Sequence, residues 1–415
     1  MDLLTRNLTS RLQEALTDTP AVLLHGARQT GKSTLVREIA RDVHPATYLT
    51  FDDATVMAAA ARDPVGFLEA YDGPIVLDEV QRVPDMLLAI KTLVDRARTP
   101  GRFLLTGSAN VFMLPKISEA LAGRMEILTL WPFSQGEIEA HQEIFVDTVF
   151  APRAMPATLS GDAVDRRELI ARVLSGGYPE VLQRNAASRR SAWLNAYITT
   201  VIHRELRDLA NLEYLIELPR LLRLLAVRVG TLLNYTELSA AVGIPQSTLK
   251  RYLALLQAIH LFLPLPAWSS NRGKRLVKRP KILLTDSGLI AHLIDLREAQ
   301  IEKDATSFGH TFGGFVAMEL CKQITWSKTR PSMHHFRTHK NVEVDLVLES
   351  PSGDIVGIEV KAASQVRDGD VRGLELLRDM AGERFVRGIV LYTGRDSLPL
   401  GKGLHALSID ALWRI

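Results

Sequence analysis

The sequence predicts an α/β protein: a parallel, doubly wound sheet first, helical segments next, and a second, smaller α/β region last. Three observations carry that reading. Between residues 21 and 130, short apolar runs alternate with stretches of helical spacing, as in a parallel sheet with crossover helices. From 167 to 290 helical spacing dominates. From 309 onward the order is helix, strand, hairpin, helix, strand, and apolar residues alternate along the hairpin Glu343–Ala363.

Length supports several domains. At roughly 150 residues per domain, 415 residues suggest about three. With 47% apolar and 23% charged residues, each can bury an ordinary core. The net charge is +3 and the pI about 8.9, so the placement of charge matters more than its sum. A single cysteine, Cys321, forbids an intrachain disulfide and fits a reducing cytoplasm. The start, MDLLTRNLTSRL, lacks the apolar centre of a signal peptide. No run reaches the ~18 apolar residues of a membrane span. The expectation is a soluble, cytoplasmic chain with no membrane partner.

The first element with chemistry follows the apolar run Ala21–Gly26. Gly26, Ala27, Arg28, Gln29, Thr30, Gly31, Lys32 and Ser33 match G-x-x-x-x-G-K-[ST], and from Thr34 the spacing is helical. Glycines let the backbone wrap around phosphates, and the helix start supplies aligned N–H groups. Lys32 is expected to reach the β- and γ-phosphates of ATP, and Ser33 to ligate Mg2+. Pro74–Glu79 is an apolar strand ending in two acids: Asp78 for Mg2+, Glu79 to orient the attacking water. Strands are expected at Ala46–Asp52, Arg102–Gly107 and Met125–Leu130, with helices at Pro84–Ala97 and Lys116–Ala122. Thr106 ends the fourth strand, where a hydroxyl can sense the γ-phosphate; Ser108 is the alternative. Arg124 precedes the fifth strand and can be an arginine finger for a neighbouring subunit or a plain surface arginine.

The segments GARQTGKS, IVLDEVQRVP, FLLTGSAN, SEALAGR and LWPFS, in that order and spacing, resemble the prokaryotic AAA+ ATPases that carry a C-terminal domain of unknown function. GGYPEV, LTDSGLIAHL and EVDLVL are similar to the second half of the same family. The resemblance implies an AAA+ P-loop ATPase core, ATP hydrolysis and assembly into a ring, most simply a hexamer. Glu180 follows Gly176–Pro179 where many AAA+ lids place an arginine, leaving Arg172 or Arg184 as substitutes. The expected domains are a core over 1–135, a helical lid with an insertion over 136–215, a winged helix over 216–300 and a last domain over 301–415.

The middle segment reads as helix, short helix, turn at Gly243, then a longer helix through Gln257. This is the helix-turn-helix pattern, with Lys250 and Arg251 near the start of the recognition helix. Asn271–Lys281 holds six basic residues and no acid. It reads as a basic wing in which Arg272, Lys274, Arg275, Lys278 and Arg279 contact DNA phosphates. A packing module with solvated charge is the other reading.

The last region resembles the restriction-endonuclease-like core. That resemblance implies a Mg2+-dependent nuclease site on four residues: Glu319 on the helix, Asp345 on one strand, and Glu359 and Lys361 on the next. Chemically, Asp345 and Glu359 supply the carboxylate oxygens that a hard cation prefers, and Lys361 can stabilise developing charge. Glu359 and Lys361 share a strand face; Asp345 joins them only if residue 345 pairs with residue 359 across an odd-length turn. A half-buried strand with charges outward is the bland alternative. His334, His335 and His339 lack Cys partners and i, i+4 placement, which disfavours zinc. Two functions remain open: an ATP-driven enzyme that remodels and cuts forked or branched DNA, or a nucleotide-dependent switch whose nuclease-like domain is silent.

Overall fold

The computed structural model describes residues 4–107, 123–152, 155, 164–202, 215–301 and 303–415. It divides into two compact units, Met1–Pro132 with Ala258–His260, and Phe133–Gln257 with Leu261–Ile415.

The first unit holds a five-stranded sheet in the order β2-β3-β4-β1-β5, with every pairing parallel. The strands are β1 (Ala21–His25), β2 (Thr47–Thr50), β3 (Ile75–Asp78), β4 (Phe103–Gly107) and β5 (Met125–Thr129). β3 and β4 are buried along their whole length, which explains their unbroken apolar runs. Leu23, Ile75, Leu77, Phe103 and Leu105 pack against Phe51, Leu68, Leu87, Ile90 and Val94 from the crossovers. The helix expected at Pro84–Ala97 runs Met86–Arg96. Ser108 and the helix expected at Lys116–Ala122 lie outside the described residues.

The second unit carries a six-stranded mixed sheet in the order β12-β13-β11-β10-β9-β8. Its strands are β8 (Ser332–Arg337), β9 (Glu343–Glu349), β10 (Ile355–Lys361), β11 (Phe385–Tyr392), β12 (Leu398–Gly401) and β13 (Leu404–Ser408). β8, β9 and β10 form an antiparallel meander, whereas β10, β11 and β13 are parallel. The helix Ala305–Trp326 contributes Phe308, Phe312, Phe315, Val316 and Leu320 to one core, and the helix Asp368–Ala381 contributes Leu374 and Leu377 to another.

Packing groups the later segments differently from the expected boundaries. One core joins Phe145, Val149, Leu169 and Val173 to Leu265 and Leu283, and both sets to Phe312, Leu346, Leu391 and Trp413. The segments expected as lid, middle and C-terminal domains therefore share a hydrophobic interior.

The middle segment has helices Leu218–Val227, Tyr235–Val242 and Gln246–Ala258, then β6 (Phe262–Leu265) paired antiparallel with β7 (Lys281–Leu284). Gly243, at φ 83°, ends the second helix, and the third begins after Pro245. The basic stretch differs from expectation. Arg272–Val277 is a short helix, not an extended wing, and it stops before Pro280.

Candidate functional site

The nucleotide loop is built by backbone conformation. Gly26 has φ 151°, and a Cβ there would sit 2.2 Å from the Leu130 carbonyl oxygen, so a side chain is excluded. Gln29 and Gly31 also take positive φ, 64° and 95°, and the helix Lys32–Glu38 starts at once. Thr30 Oγ1 donates to the Ala27 carbonyl at 3.0 Å and fixes the loop from inside. Arg28 is half-buried, whereas Gln29 and Thr34 are exposed.

The buried Lys32 ammonium donates to the carbonyls of Gly26 (3.0 Å) and Ala27 (2.8 Å). It thus lies folded over the loop whose amides would cradle phosphate. Ser33 Oγ donates to Asp78 Oδ1 at 3.0 Å. Thr106 Oγ1 donates to the same oxygen and accepts the Glu79 amide at 3.1 Å. Tyr48 Oη donates to Asp78 Oδ2 at 2.6 Å. Burial, then the bond to Asp78, pushes the Tyr48 phenol up to about 12. Asp78 therefore sits among three neutral donors, and with Ser33 it offers a hydroxyl and a carboxylate to one cation. That donor set suits Mg2+ carried by a nucleotide. Glu79 adopts φ 61°, and Gln81 Nε2 donates to its carboxylate.

Tyr48 was not found from sequence, and neither was the histidine pair beneath the loop. His25 immediately precedes Gly26. Its Nε2 lies 2.8 Å from Thr129 Oγ1 and its Nδ1 3.2 Å from His260 Nε2. Burial, then Lys32, lowers His25 to about 4; burial, then His25, lowers His260 to about 3.

Arg124 stands apart from this cluster. β1 and β5 are parallel with Ala21 opposite Met125, so Arg124 is at the start of the sheet edge while the loop follows its end. Its Nε donates to Asp95 Oδ1 at 2.5 Å. A role as arginine finger toward a second subunit requires release from Asp95.

The C-terminal residues meet through the hairpin register. Ile355 pairs with Glu349 and the ladder runs to Ile358 with Leu346, so one further step sets Glu359 opposite Asp345. Ser350 N donates to the Asp354 carbonyl at 2.9 Å, which closes an odd-length turn at Pro351–Gly353. Val360 N donates to Asp345 Oδ2 at 3.0 Å, and Asp345 N to Glu359 Oε2 at 3.4 Å. Lys361 Nζ lies 2.9 Å from Glu359 Oε1 and 3.5 Å from Asp370 Oδ1. Burial, then the charge of Asp345, pushes Glu359 up to about 7. Lys361 is held above its usual value: burial opposes this, but Glu359, Asp345 and Asp370 outweigh it.

These three residues line a cavity of about 440 Å³. One wall is a helix face with Thr306, Gly309, His310, Gly313 and Ala317. A Cβ added at Gly309 or Gly313 would meet nothing within 4 Å. The sequence missed Lys281, at the start of β7. Its ammonium lies 3.1 Å from Glu343 Oε2 and 3.8 Å from Asp345 Oδ1. Arg337 pairs with Glu343 at 3.1 Å.

Glu319 is the correction. It lies two residues past Ala317, roughly 200° around the helix, and does not line the cavity. Fully buried, it accepts Gln135 N at 2.8 Å and Lys322 Nζ at 2.6 Å. Glu143 lies close by, and burial, then Glu319, holds its carboxyl well above the usual range. Among the described residues no group of three or more His, Cys, Asp or Glu is arranged to hold a metal ion. The C-terminal cavity offers two facing carboxylates, and any remaining ligands for a cation would be water or substrate.

The expected DNA contacts divide. Lys250 and Arg251 are exposed on the helix Gln246–Ala258, with Lys250 Nζ 5.3 Å from the Tyr235 ring centre. Arg272 and Lys274 are on the short helix. Lys278 is half-buried and Arg279 exposed. Arg275 is already committed. It donates to the Ser269 carbonyl at 2.6 Å and forms a forked pair with buried Glu349.

Comparison with known families assigns three segments. Residues 18–139 match the AAA domain family, 166–300 a domain of unknown function (DUF8612) and 308–412 a domain of unknown function (DUF4143). The chain is 29% identical to the uncharacterized protein Rv2008c of Mycobacterium tuberculosis and to Mb2031c of Mycobacterium bovis, over 98% of this chain and 84% of each relative. Among solved structures, the Thermotoga maritima RuvB Holliday junction branch migration motor aligns over 63% of this chain and 90% of its own, at 17% identity and TM-score 0.30. A Thermotoga maritima DNA polymerase III gamma subunit-related protein aligns over 60% and 97%, at 12% identity and TM-score 0.24. The AAA domain match and the loop geometry together support an AAA-type ATPase core. No helix among the described residues is long and apolar enough to cross a membrane.

Proposed function

We propose that the chain is an ATP-hydrolysing enzyme that binds and remodels DNA, and that its C-terminal cavity cleaves phosphodiester bonds with Mg2+. The observation that carries the second half is the meeting of Asp345, Glu359 and Lys361 in one open cavity. In the nucleotide unit, Lys32 exchanges its two carbonyls for the β- and γ-phosphates, Ser33 and Asp78 hold the cation, and Glu79 orients water. Thr106 senses the γ-phosphate through the hydroxyl that bridges Asp78 and Glu79. ATP-driven assembly of several copies, a hexameric ring in the simplest case, would bring Arg124 to a neighbour's nucleotide; native mass measurement with ATP tests this, and monomers alone would refute it.

In the cavity, a bound Mg2+ would polarise the scissile phosphate and acidify a water molecule. Asp345 and Glu359 provide its carboxylate ligands, and Lys361 stabilises charge on the phosphate oxygens. Lys250, Arg251, Lys278 and Arg279 provide phosphate contacts along a winged-helix-like middle segment, whereas Arg275 is held by Glu349. The test is cleavage of forked and four-way DNA with Mg2+ and ATP, comparing the wild type with Asp345→Ala and Lys361→Ala. Loss of about 100-fold or more in both variants is expected.

One observation favours a second reading. Lys281 lies 3.8 Å from Asp345 and Lys361 2.9 Å from Glu359, neutralising the two acids that a metal would need. On that reading the cavity is silent and the chain is a nucleotide-dependent DNA- or protein-binding switch. It is distinguished by ATP hydrolysis that depends on Lys32 and Glu79 with no strand cleavage.

A further inference from the structure

We infer that Lys281 is a phosphate-binding residue of the C-terminal cavity, gripping the backbone of a single nucleic-acid strand beside Lys361. The inference rests on the reading of the cavity as a nucleic-acid site and adds a residue from outside the hairpin. Lys281 belongs to the segment 166–300, whereas the hairpin belongs to 308–412. The cavity is therefore composite, with β7 supplying one of its cations.

Three observations converge. Lys281 is only 6% exposed, yet it lines the cavity. A buried ammonium must be paired, and Lys281 forms ion pairs with Glu343 at 3.1 Å and Asp345 at 3.8 Å. An ammonium has three donors, so these acids leave at least one for a ligand. Around the cavity, Glu343, Asp345 and Glu359 face Lys281, Arg337 and Lys361, three acids against three cations. A divalent cation on the carboxylates would leave that set formally at +2, and an anionic strand restores the balance. Phosphate oxygens then replace the carboxylates as partners of Lys281. In chain order Lys281 ends the basic stretch, two residues past Arg279, so a strand gripped by Lys278 and Arg279 leads to it.

The test is binding of a fluorescent single-stranded oligothymidylate to the full chain, with Ca2+ in place of Mg2+, across a salt series. Lys281→Met keeps the length and packing of the side chain and removes the charge; Lys281→Gln is a second neutral variant, and Lys281→Arg keeps the charge. Lys281 lies in the second compact unit, so circular dichroism and the thermal midpoint of the full chain, rather than ATP hydrolysis, report intact folding. Both neutral variants are expected to bind about 10-fold more weakly, with a log–log salt slope smaller by about 1, while Lys281→Arg retains most of the affinity. Wild-type affinity and slope in a folded neutral variant, or no binding by the wild type, would overturn the assignment. Cleavage is scored separately. If nothing is cut but the Lys281 variants still lose binding, the nuclease reading falls and the phosphate contact stands. If cutting depends on Asp345 while the Lys281 variants bind normally, the reverse holds.

Discussion

The nucleotide loop and the C-terminal cavity both gather acids and lysines, but they balance charge in opposite ways. At the loop, Asp78 is surrounded by neutral hydroxyls from Ser33, Tyr48 and Thr106, and Lys32 rests on carbonyls. Neither charge is cancelled by the other. In the cavity, each acid already has a cationic neighbour: Glu343 has Lys281 and Arg337, Asp345 has Lys281, and Glu359 has Lys361. The first arrangement suits a ligand that brings both a cation and an anion, as a metal-bound nucleotide does. The second must exchange internal ion pairs for external ones before it can act. The difference teaches that a site's readiness lies in what its charges face, not in how many it has.

The largest expected effect breaks the comparison at the loop. Lys32→Ala removes the ammonium that lies over the loop and lowers ATP hydrolysis by about 100-fold or more, measured as phosphate release. Glu359→Gln tests the cavity. It removes a charge while keeping the shape, so DNA cleavage falls by about 100-fold and ATP hydrolysis is unchanged. Loss of both activities would show that the two sites are not chemically separate.

Acidification addresses the histidines under the loop. His25 and His260 have folded values near 4 and 3 against 6.5 when free, so the folded state resists the protons that the unfolded chain accepts. Stability from this pair is complete above pH ~6.5 and is lost progressively as pH falls toward 4. Thermal midpoints are expected to drop over that window in the wild type and to drop less in His260→Leu. The smallest effect belongs to Tyr48→Phe, which removes one neutral donor from Asp78. It costs about 1 kcal/mol of stability and raises the Mg2+ concentration needed for half-maximal ATP hydrolysis a few-fold.

The loop was legible in sequence because Gly26 to Thr34 are contiguous and Asp78 and Glu79 end a single apolar run. For Asp345 and Glu359 the sequence supplied only a condition, a register pairing 345 with 359, because alternation places residues on a face but leaves the turn length open. Glu319 was misplaced for a reason in its own helix. From Phe308 to Gln323 that helix is buried on almost every side, so its pattern does not reveal which face meets the cavity. The helix Arg272–Val277 is hidden in the basic-wing reading because charge, not periodicity, is the visible feature of that stretch. Lys281, Tyr48 and His260 come from segments distant in sequence, and no local pattern marks a side chain whose partner is over 60 residues away, as for Lys281 and Glu343.

The small-residue face of the helix Ala305–Trp326 has a consequence for how the cavity could change. Gly309 and Gly313 line the wall with open space before them. The aperture can therefore be narrowed one side chain at a time from a wall that holds none of the charged groups. Selectivity for what enters is adjustable there independently of the chemistry opposite, so related chains could diverge in substrate while keeping one constellation of acids and lysines.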